Sequence, residues 1–159
     1  TWPGAPTLYY GDEAGVTGWT DPDNRRTYPW GREDQELIEY HRQMIWIHKE
    51  HQALITGSLK YLQGAYKVIC YGRFTKKEKM IILINGGFDE AKVRVPVWEV
   101  GITEKEDLQR LIMSSEEGFT LEPAVCPVQG GVLEISLPAT SALLLKAILR
   151  KGEEKDSEE

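Results

Sequence analysis

A succession of short apolar segments after residue 57 restricts the fold of this chain more than any other feature of its sequence. Each segment is rich in β-branched or alternating apolar side chains, and turn residues such as Gly86-Gly87 and Gly130-Gly131 separate them. The segments are 58–62, 66–74, 80–85, 92–96, 108–113, 132–137 and 141–148. Seven strands with frequent turns predict a mainly β chain, with an antiparallel β-sandwich over residues 57–150.

A single helical pattern precedes these strands, over residues 34–50. Apolar and histidine side chains recur there at spacings of three and four, and no proline interrupts them. The predicted face consists of Leu37, His41, Met44, Ile45 and His48, with Ile38 and Ile47 at its edges. Asp34 is placed to act as the N-cap of this helix, with Glu33 and Glu36 near the positive end of its dipole.

The first 33 residues combine one strand candidate with a long loop. The strand candidate is 7–10, between Pro6 and Gly11, and the loop spans 11–33 with three aromatic residues to accommodate. A strand, a loop and a helix cannot enclose a core by themselves. We therefore expect residues 1–56 to be the last βα unit of a larger α/β structure, and the chain to be a C-terminal fragment of it.

Charge and composition exclude several classes of function. Nineteen Lys and Arg residues against 25 Asp and Glu residues give a net charge of −6, which argues against a nucleic-acid partner. Apolar runs such as 80–84 are too short to cross a bilayer, so no membrane partner is expected. Two cysteines, Cys70 and Cys126, form no disulfide framework and suit buried positions. Residues 151–159 read as a disordered acidic tail.

The most specific motif lies in residues 3–31. It begins Pro-Gly-Ala-Pro-Thr-Leu-Tyr-Tyr-Gly-Asp-Glu-Ala-Gly and continues, a few residues later, with Thr-Asp-Pro-Asp-Asn-Arg-Arg-Thr-Tyr-Pro-Trp-Gly. Together the two blocks resemble the α-amylase family of glycoside hydrolases, at the eighth strand of the (β/α)8 barrel and the following loop. The second block is similar to the neopullulanase, cyclomaltodextrinase and maltogenic amylase branch. The resemblance implies a parent enzyme that cleaves α-glucosidic bonds of starch-type oligosaccharides with retention of the anomeric configuration. It slightly favours a cytoplasmic location for that enzyme.

The loop 11–33 carries the candidate binding residues. Charged groups beside aromatic rings suit a sugar, because charge-assisted hydrogen bonds hold hydroxyls and rings cover C–H faces. The resemblance implies that Asp21 and Arg25 hydrogen-bond a glucose unit on the non-reducing side of the cleaved bond. From the residues alone, a salt bridge between them that shapes the loop is the alternative, and both roles are compatible. Asp12 and Glu13 are expected to support the loop rather than form an acid/base pair, since adjacent residues at a strand end point apart. Arg26 is expected to anchor the loop as well.

The catalytic groups of such an enzyme are not expected in this chain. Retaining glycosidases need two carboxylates about 5–5.5 Å apart, and the resemblance places them on earlier strands. The chain has no Asn-His-Asp segment, so we expect it to be inactive alone. His48 and His51 are three residues apart near the end of the predicted helix, with His41 earlier in it. A zinc site needs a third ligand at a defined spacing, so neither a metal nor a cofactor is predicted. The expected partners are an α-glucan oligosaccharide, the missing catalytic barrel and a second copy of the fragment through an exposed apolar patch.

One alternative function belongs to a different class. The β-region can act as an independent carbohydrate-binding or interaction module. Phe88, Trp98 and Phe119 are the candidates for a sugar platform in that case, although packing in the core or at a sheet edge is an equally available use of their rings.

Overall fold

A computed structural model describes residues 1–62 and 64–150 of the chain, so the acidic tail predicted over residues 151–159 lies outside the described residues. Two helices come first, α1 (Gln35–Glu50) and α2 (Gln52–Ile55). The strands are β1 (Ser58–Leu62), β2 (Val68–Phe74), β3 (Lys79–Asn85), β4 (Ala91–Val95), β5 (Glu106–Ser115), β6 (Gly118–Thr120), β7 (Val125–Cys126), β8 (Val128–Gln129), β9 (Val132–Leu137) and β10 (Ser141–Leu149). Within the described ranges, no helix has both the length and the apolar character needed to cross a bilayer.

The strands form two antiparallel sheets that face each other. The larger sheet has the order β1-β2-β3-β10-β5-β6, with β7 paired to β5, and the smaller sheet has the order β4-β9-β8. Apolar side chains from both sheets fill the space between them, including Leu83, Val95, Leu133 and Leu145. The predicted mainly β, antiparallel sandwich is therefore confirmed.

Three short strands were not predicted from the sequence. These are β6, β7 and β8, and each has only two or three residues. Such segments are too short to show an alternating pattern, and their pairing depends on long neighbours, β5 for the first two and β9 for the third.

A second apolar core lies on the other face of the larger sheet, beneath the helices. Ile47 of α1 and Ala53 and Leu54 of α2 pack there against Tyr71, Met80, Ile82, Ile112 and Leu144. Because successive residues of a strand point to opposite faces, Met80 and Ile82 enter this core while Ile81 and Leu83 enter the sandwich core. The uninterrupted apolar run in β3 follows from burial on both faces.

Helix α1 begins as the sequence predicts but presents a different face to the core. The Asp34 side chain accepts a hydrogen bond from the Leu37 amide at 3.0 Å, which confirms this residue as the N-cap. The predicted inner face was wrong by part of a turn. Ile47, predicted at an edge, is 3% exposed, whereas Ile45 is 40% exposed. The stripe that meets the sheet runs through Tyr40, Met44 and Ile47 instead.

The strand predicted over residues 7–10 is not formed. The backbone there has no strand assignment, because no other described segment pairs with it, and the side chains of Leu8, Tyr9 and Tyr10 are exposed. A strand is stable only when a neighbour satisfies its amide and carbonyl groups. The residues have the composition of a strand, but this chain alone offers them no sheet.

Candidate functional site

The candidate site is the loop 11–33, which two short 3-10 turns organise. The first turn is Asp12–Ala14, between Gly11 and Gly15, and the second is Asp23–Arg25. Gly11 has a φ of 90°, and a Cβ added there would lie 2.8 Å from a methyl carbon of Val16. The Asp34 amide donates to the Ala14 carbonyl at 3.2 Å, which fastens the first turn to the start of α1.

Asp12 and Glu13 have different contacts, although they are adjacent. The Glu13 carboxylate accepts the Gly11 amide at 3.0 Å and so closes the first turn. Desolvation, together with the nearby Glu13 and Glu33 carboxylates, raises the pKa of Tyr28. Asp12 acts through its backbone, since its amide donates to the Tyr9 carbonyl at 3.1 Å and its carbonyl accepts the Gly15 amide at 3.3 Å.

Asp21 and Arg25 form a two-pronged ion pair. The guanidinium Nε lies 2.8 Å from Asp21 Oδ1, and Nη2 donates to Asp21 Oδ2 at 3.0 Å. The side chains are 62% and 65% exposed for Arg25 and Asp21, respectively. An ion pair so exposed adds little to stability, about 0–1 kcal/mol. The loop therefore holds a planar donor–acceptor pair in solvent, where its outer hydrogen-bonding positions are free to meet a ligand.

Arg26 anchors the same loop at its surface, where its side chain is 53% exposed. It donates to Asp23 through Nε at 2.8 Å and through Nη2 at 2.9 Å, and Asp23 also accepts the Trp19 amide at 2.9 Å. The hydrogen bonds from Arg26, and then the one from Trp19, lower the pKa of Asp23 against a smaller opposing effect of desolvation. The Tyr10 hydroxyl donates to the Arg26 carbonyl at 2.8 Å, which connects this cluster to the extended segment before the loop.

Exposed aromatic rings lie on the same loop as the ion pair. Trp19 and Trp30 are 82% and 81% exposed, and the Trp30 ring lies 4.5 Å from the Tyr28 ring, centroid to centroid. The loop also forms an open concave region of about 680 Å³, whose lining includes Arg25, Arg26 and Arg32. Exposed rings next to charged donors and acceptors are the groups that hold a sugar through its C–H faces and its hydroxyls.

His41 and His51 have hydrogen-bond partners within the fold, and the buried Nδ1 of His48 has none in the part of the chain that the structure describes. His51 Nδ1 lies 2.6 Å from a carboxylate oxygen of Glu78, and His41 Nδ1 lies 2.8 Å from the Leu37 carbonyl oxygen. Among the described residues, no three His, Cys, Asp or Glu side chains are grouped to hold a metal ion. Both cysteines are unpaired, and burial raises the pKa of the Cys70 thiol to about 12.

The three aromatic residues considered for a sugar platform have different surroundings. Phe119 packs edge-on against Tyr40, with 5.5 Å between ring centroids, so its ring serves the second core. Phe88 is 82% exposed and Trp98 is 61% exposed. One buried charge was not predicted from the sequence, Arg73 in β2, which is fully buried. The signal available for it was a charged residue inside the apolar segment 66–74.

Comparisons with known proteins agree with this fold. No protein-family model matches the chain. The chain is 30% identical over 158 residues to an amylopullulanase of Thermoanaerobacterium saccharolyticum, covering 91% of this chain and 11% of the relative. It is 50% identical over 72 residues to an amylopullulanase of Thermoanaerobacter thermohydrosulfuricus, covering 45% and 5%, respectively. The crystal structure of a debranching enzyme from Nostoc punctiforme matches with a TM-score of 0.70 and 33% identity, covering 91% of this chain and 28% of that one.

The antiparallel sandwich is of the kind found as the C-terminal β-sandwich domain of α-amylases. The chain belongs to the α-amylase family of glycoside hydrolases. Its relatives include enzymes named cyclomaltodextrinase and neopullulanase, so the predicted branch is also confirmed. The chain spans 5 to 11% of the length of the amylopullulanases it matches.

Proposed function

We propose that this chain works as part of a larger retaining glycoside hydrolase that cleaves α-glucosidic bonds in starch-type oligosaccharides. The observation that carries the proposal is the exposed two-pronged pair of Asp21 and Arg25, on a loop that also carries the exposed Trp19 and Trp30, in a chain of this family. The names of its relatives, amylopullulanase and cyclomaltodextrinase among them, support an α-glucan as the substrate class.

The pair suits a glucose unit because the two side chains already orient each other. Asp21 presents carboxylate oxygens that accept from sugar hydroxyls, and Arg25 presents N–H groups that donate to hydroxyl oxygens. Their mutual hydrogen bonds already restrict both side chains, so each loses less conformational entropy when a ligand binds. In this proposal the same ion pair shapes the loop and positions the ligand, so the two roles considered for it are compatible.

The chain supplies binding and support in this proposal, and the bond-breaking carboxylates come from other segments of the enzyme. The helix α1 turns Ile45 and Trp46 outward, with exposures of 40% and 58%. We expect this face to pack against the rest of the catalytic barrel, and to drive self-association of the chain when the barrel is absent. The sandwich stabilises the assembly through the core it shares with the helices.

The test is the steady-state kinetics of the complete enzyme on maltoheptaose. Asp21→Ala and Arg25→Ala each remove a charge-assisted contact of about 1.5–3 kcal/mol, so each variant should lower kcat/KM on the order of tenfold to a hundredfold. The matched controls are Glu134→Ala and Arg94→Ala. Those residues form an equally exposed carboxylate–arginine pair in the sandwich, with 2.7 Å between Arg94 Nε and Glu134 Oε1, and should leave kcat/KM unchanged.

Two results would contradict the proposal. A complete enzyme without activity on any α-glucan removes the reaction. Equal kcat/KM values for the Asp21→Ala variant and its Glu134→Ala control remove the role of the loop while leaving the reaction in place.

A further inference from the structure

Two strongly exposed aromatic rings stand close to one lysine on the surface of the sandwich. Tyr66 precedes β2 and is 88% exposed, and Phe88 follows β3 and is 82% exposed. The Lys67 ammonium nitrogen lies 5.4 Å from the centroid of each ring. Tyr66, Lys67 and Phe88 together form an aromatic platform.

The turn that carries Phe88 is fixed by a buried polar side chain. Asn85 is 2% exposed, and its amide nitrogen donates to the Asp89 carbonyl at 2.9 Å and to the Pro138 carbonyl at 2.7 Å. Its Oδ1 accepts the Gly87 amide at 2.9 Å. A buried amide with this many partners holds the residues around Phe88 in one conformation.

Backbone strain is concentrated at the same turn. Among the described residues, Lys67 and Thr140 are the non-glycine residues with positive φ, at 61° and 44°. Both hydrogen-bond this turn, since the Gly86 amide donates to the Lys67 carbonyl at 2.9 Å and the Thr140 amide donates to the Gly87 carbonyl at 2.9 Å. Strained residues persist where the surrounding structure fixes them, and they cluster at ligand-binding positions.

We propose that Tyr66, Lys67 and Phe88 form a second α-glucan-binding site, carried by the sandwich rather than by the loop 11–33. The α-glucan as ligand rests on the proposed function. The exposed faces of the two rings suit the C–H faces of glucose units, and the Lys67 ammonium group, 5.4 Å from each ring centroid, donates to hydroxyl oxygens. Rigid rings lose little entropy on binding, which suits an open surface with few other contacts.

The size of the platform favours a sugar over a protein partner. Aromatic side chains bury about 150–250 Å² each, so the two rings together supply at most about 500 Å². A stable protein interface needs about 800 Å² from each partner. An oligosaccharide a few units long is covered by the smaller area, and no second protein surface is required.

The test is isothermal titration calorimetry of the 159-residue chain with maltoheptaose, and with cellohexaose as the β-linked comparison. The chain should bind maltoheptaose, and Phe88→Ala and Tyr66→Ala should each weaken binding about tenfold or more. Phe88→Trp should restore binding, because the indole presents the same kind of face. Trp98→Ala removes another exposed ring of the sandwich and should bind like the unchanged chain. Unaltered thermal unfolding of each variant confirms that it is folded.

Several results would overturn the proposal, and they are distinguishable from failure of the proposed function. If the 159-residue chain does not bind maltoheptaose while the complete enzyme hydrolyses it, the binding site at the aromatic platform is overturned and the proposed function stands. Loss of binding in Arg25→Ala but not in Phe88→Ala assigns the sugar to the loop 11–33 and also overturns it. Equal affinity for cellohexaose removes the α-glucan specificity. If Phe88→Ala changes the sedimentation coefficient of the chain and not its sugar affinity, the platform is a protein contact instead.

Discussion

The loop 11–33 and the sandwich are stabilised by different interactions. The sandwich has one apolar core between its sheets and a second beneath its helices, with many side chains fully buried. The loop buries little besides Ala14 and is held by backbone turns and by exposed ion pairs such as Asp21–Arg25. Apolar burial contributes far more to stability than exposed ion pairs do. In the proposed function, the sandwich supplies stability and the loop supplies recognition.

The largest expected effect comes from the sandwich core. Leu83 is fully buried in β3, so Leu83→Ala should lower the free energy of unfolding of the chain by about 2–5 kcal/mol. The measurement is urea denaturation followed by circular dichroism. Leu8→Ala is the matched control before the loop, where the side chain is 47% exposed, and it should change stability by less than about 0.5 kcal/mol. Equal losses of unfolding free energy in the two variants would contradict the claim that the sandwich core contributes more stability than the N-terminal segment.

The next largest effect concerns Arg73, which joins the sandwich to residues on both sides of the helices. Its guanidinium donates to the carbonyls of Thr1 at 2.6 Å, Leu54 at 2.9 Å and Gly57 at 3.1 Å. Arg73→Leu should lower the free energy of unfolding by about 2–3 kcal/mol, because buried carbonyl groups lose their partners. The exposed Arg94→Leu is the control and should cost no more than about 1 kcal/mol. An Arg73→Leu variant with an unchanged free energy of unfolding would show that these carbonyl groups find other hydrogen-bond donors.

A pH-dependent effect is expected at Glu78, between α2 and the larger sheet. Desolvation opposes ionisation, but the Ala53 amide, His51 and Lys146 outweigh it and lower the pKa of this carboxyl group. A depressed pKa in the folded state adds stability above the unfolded value of about 4.3, which is lost as the pH falls through the folded pKa. Glu78→Gln should therefore cost about 1–2 kcal/mol at pH 7 and less at pH 3. A pH-independent cost in urea titrations would contradict the charge-based explanation.

The smallest effect on stability is expected in the loop. Arg25→Ala should change the free energy of unfolding by less than about 1 kcal/mol, because the ion pair it breaks is mostly exposed. Differential scanning calorimetry of the chain measures this directly. A large loss of stability would mean that the pair is a structural element, and its effect on turnover could then not be assigned to sugar binding.

Most of the sandwich was predictable from the sequence, because long strands in this chain have apolar runs bounded by glycines and polar turns. All seven segments predicted as strands are present, with ends shifted by a few residues. The face of α1 was not predictable, since apolar residues occur all around this helix and only the position of the sheet selects Ile47 over Ile45. The strand over residues 7–10 failed for a related reason, because pairing depends on neighbours that local composition does not reveal.

The candidate site was predictable in its residues but not in its geometry. The motif identified Asp21 and Arg25, but the spacing of four residues did not determine that both prongs of the guanidinium would engage one carboxylate. The aromatic platform was only partly predictable from the sequence. Phe88 was a candidate from composition, whereas Tyr66 and Lys67 join it through two turns that are distant in sequence and become adjacent only in the folded sandwich.

The most direct test of the account is the comparison of two quantities for one variant, Asp21→Ala, in the complete enzyme. The account predicts an unchanged free energy of unfolding and a fall in kcat/KM for maltoheptaose on the order of tenfold to a hundredfold. An unchanged kcat/KM, or a loss of activity that merely follows a loss of folded protein, would contradict the claim that this loop binds the substrate.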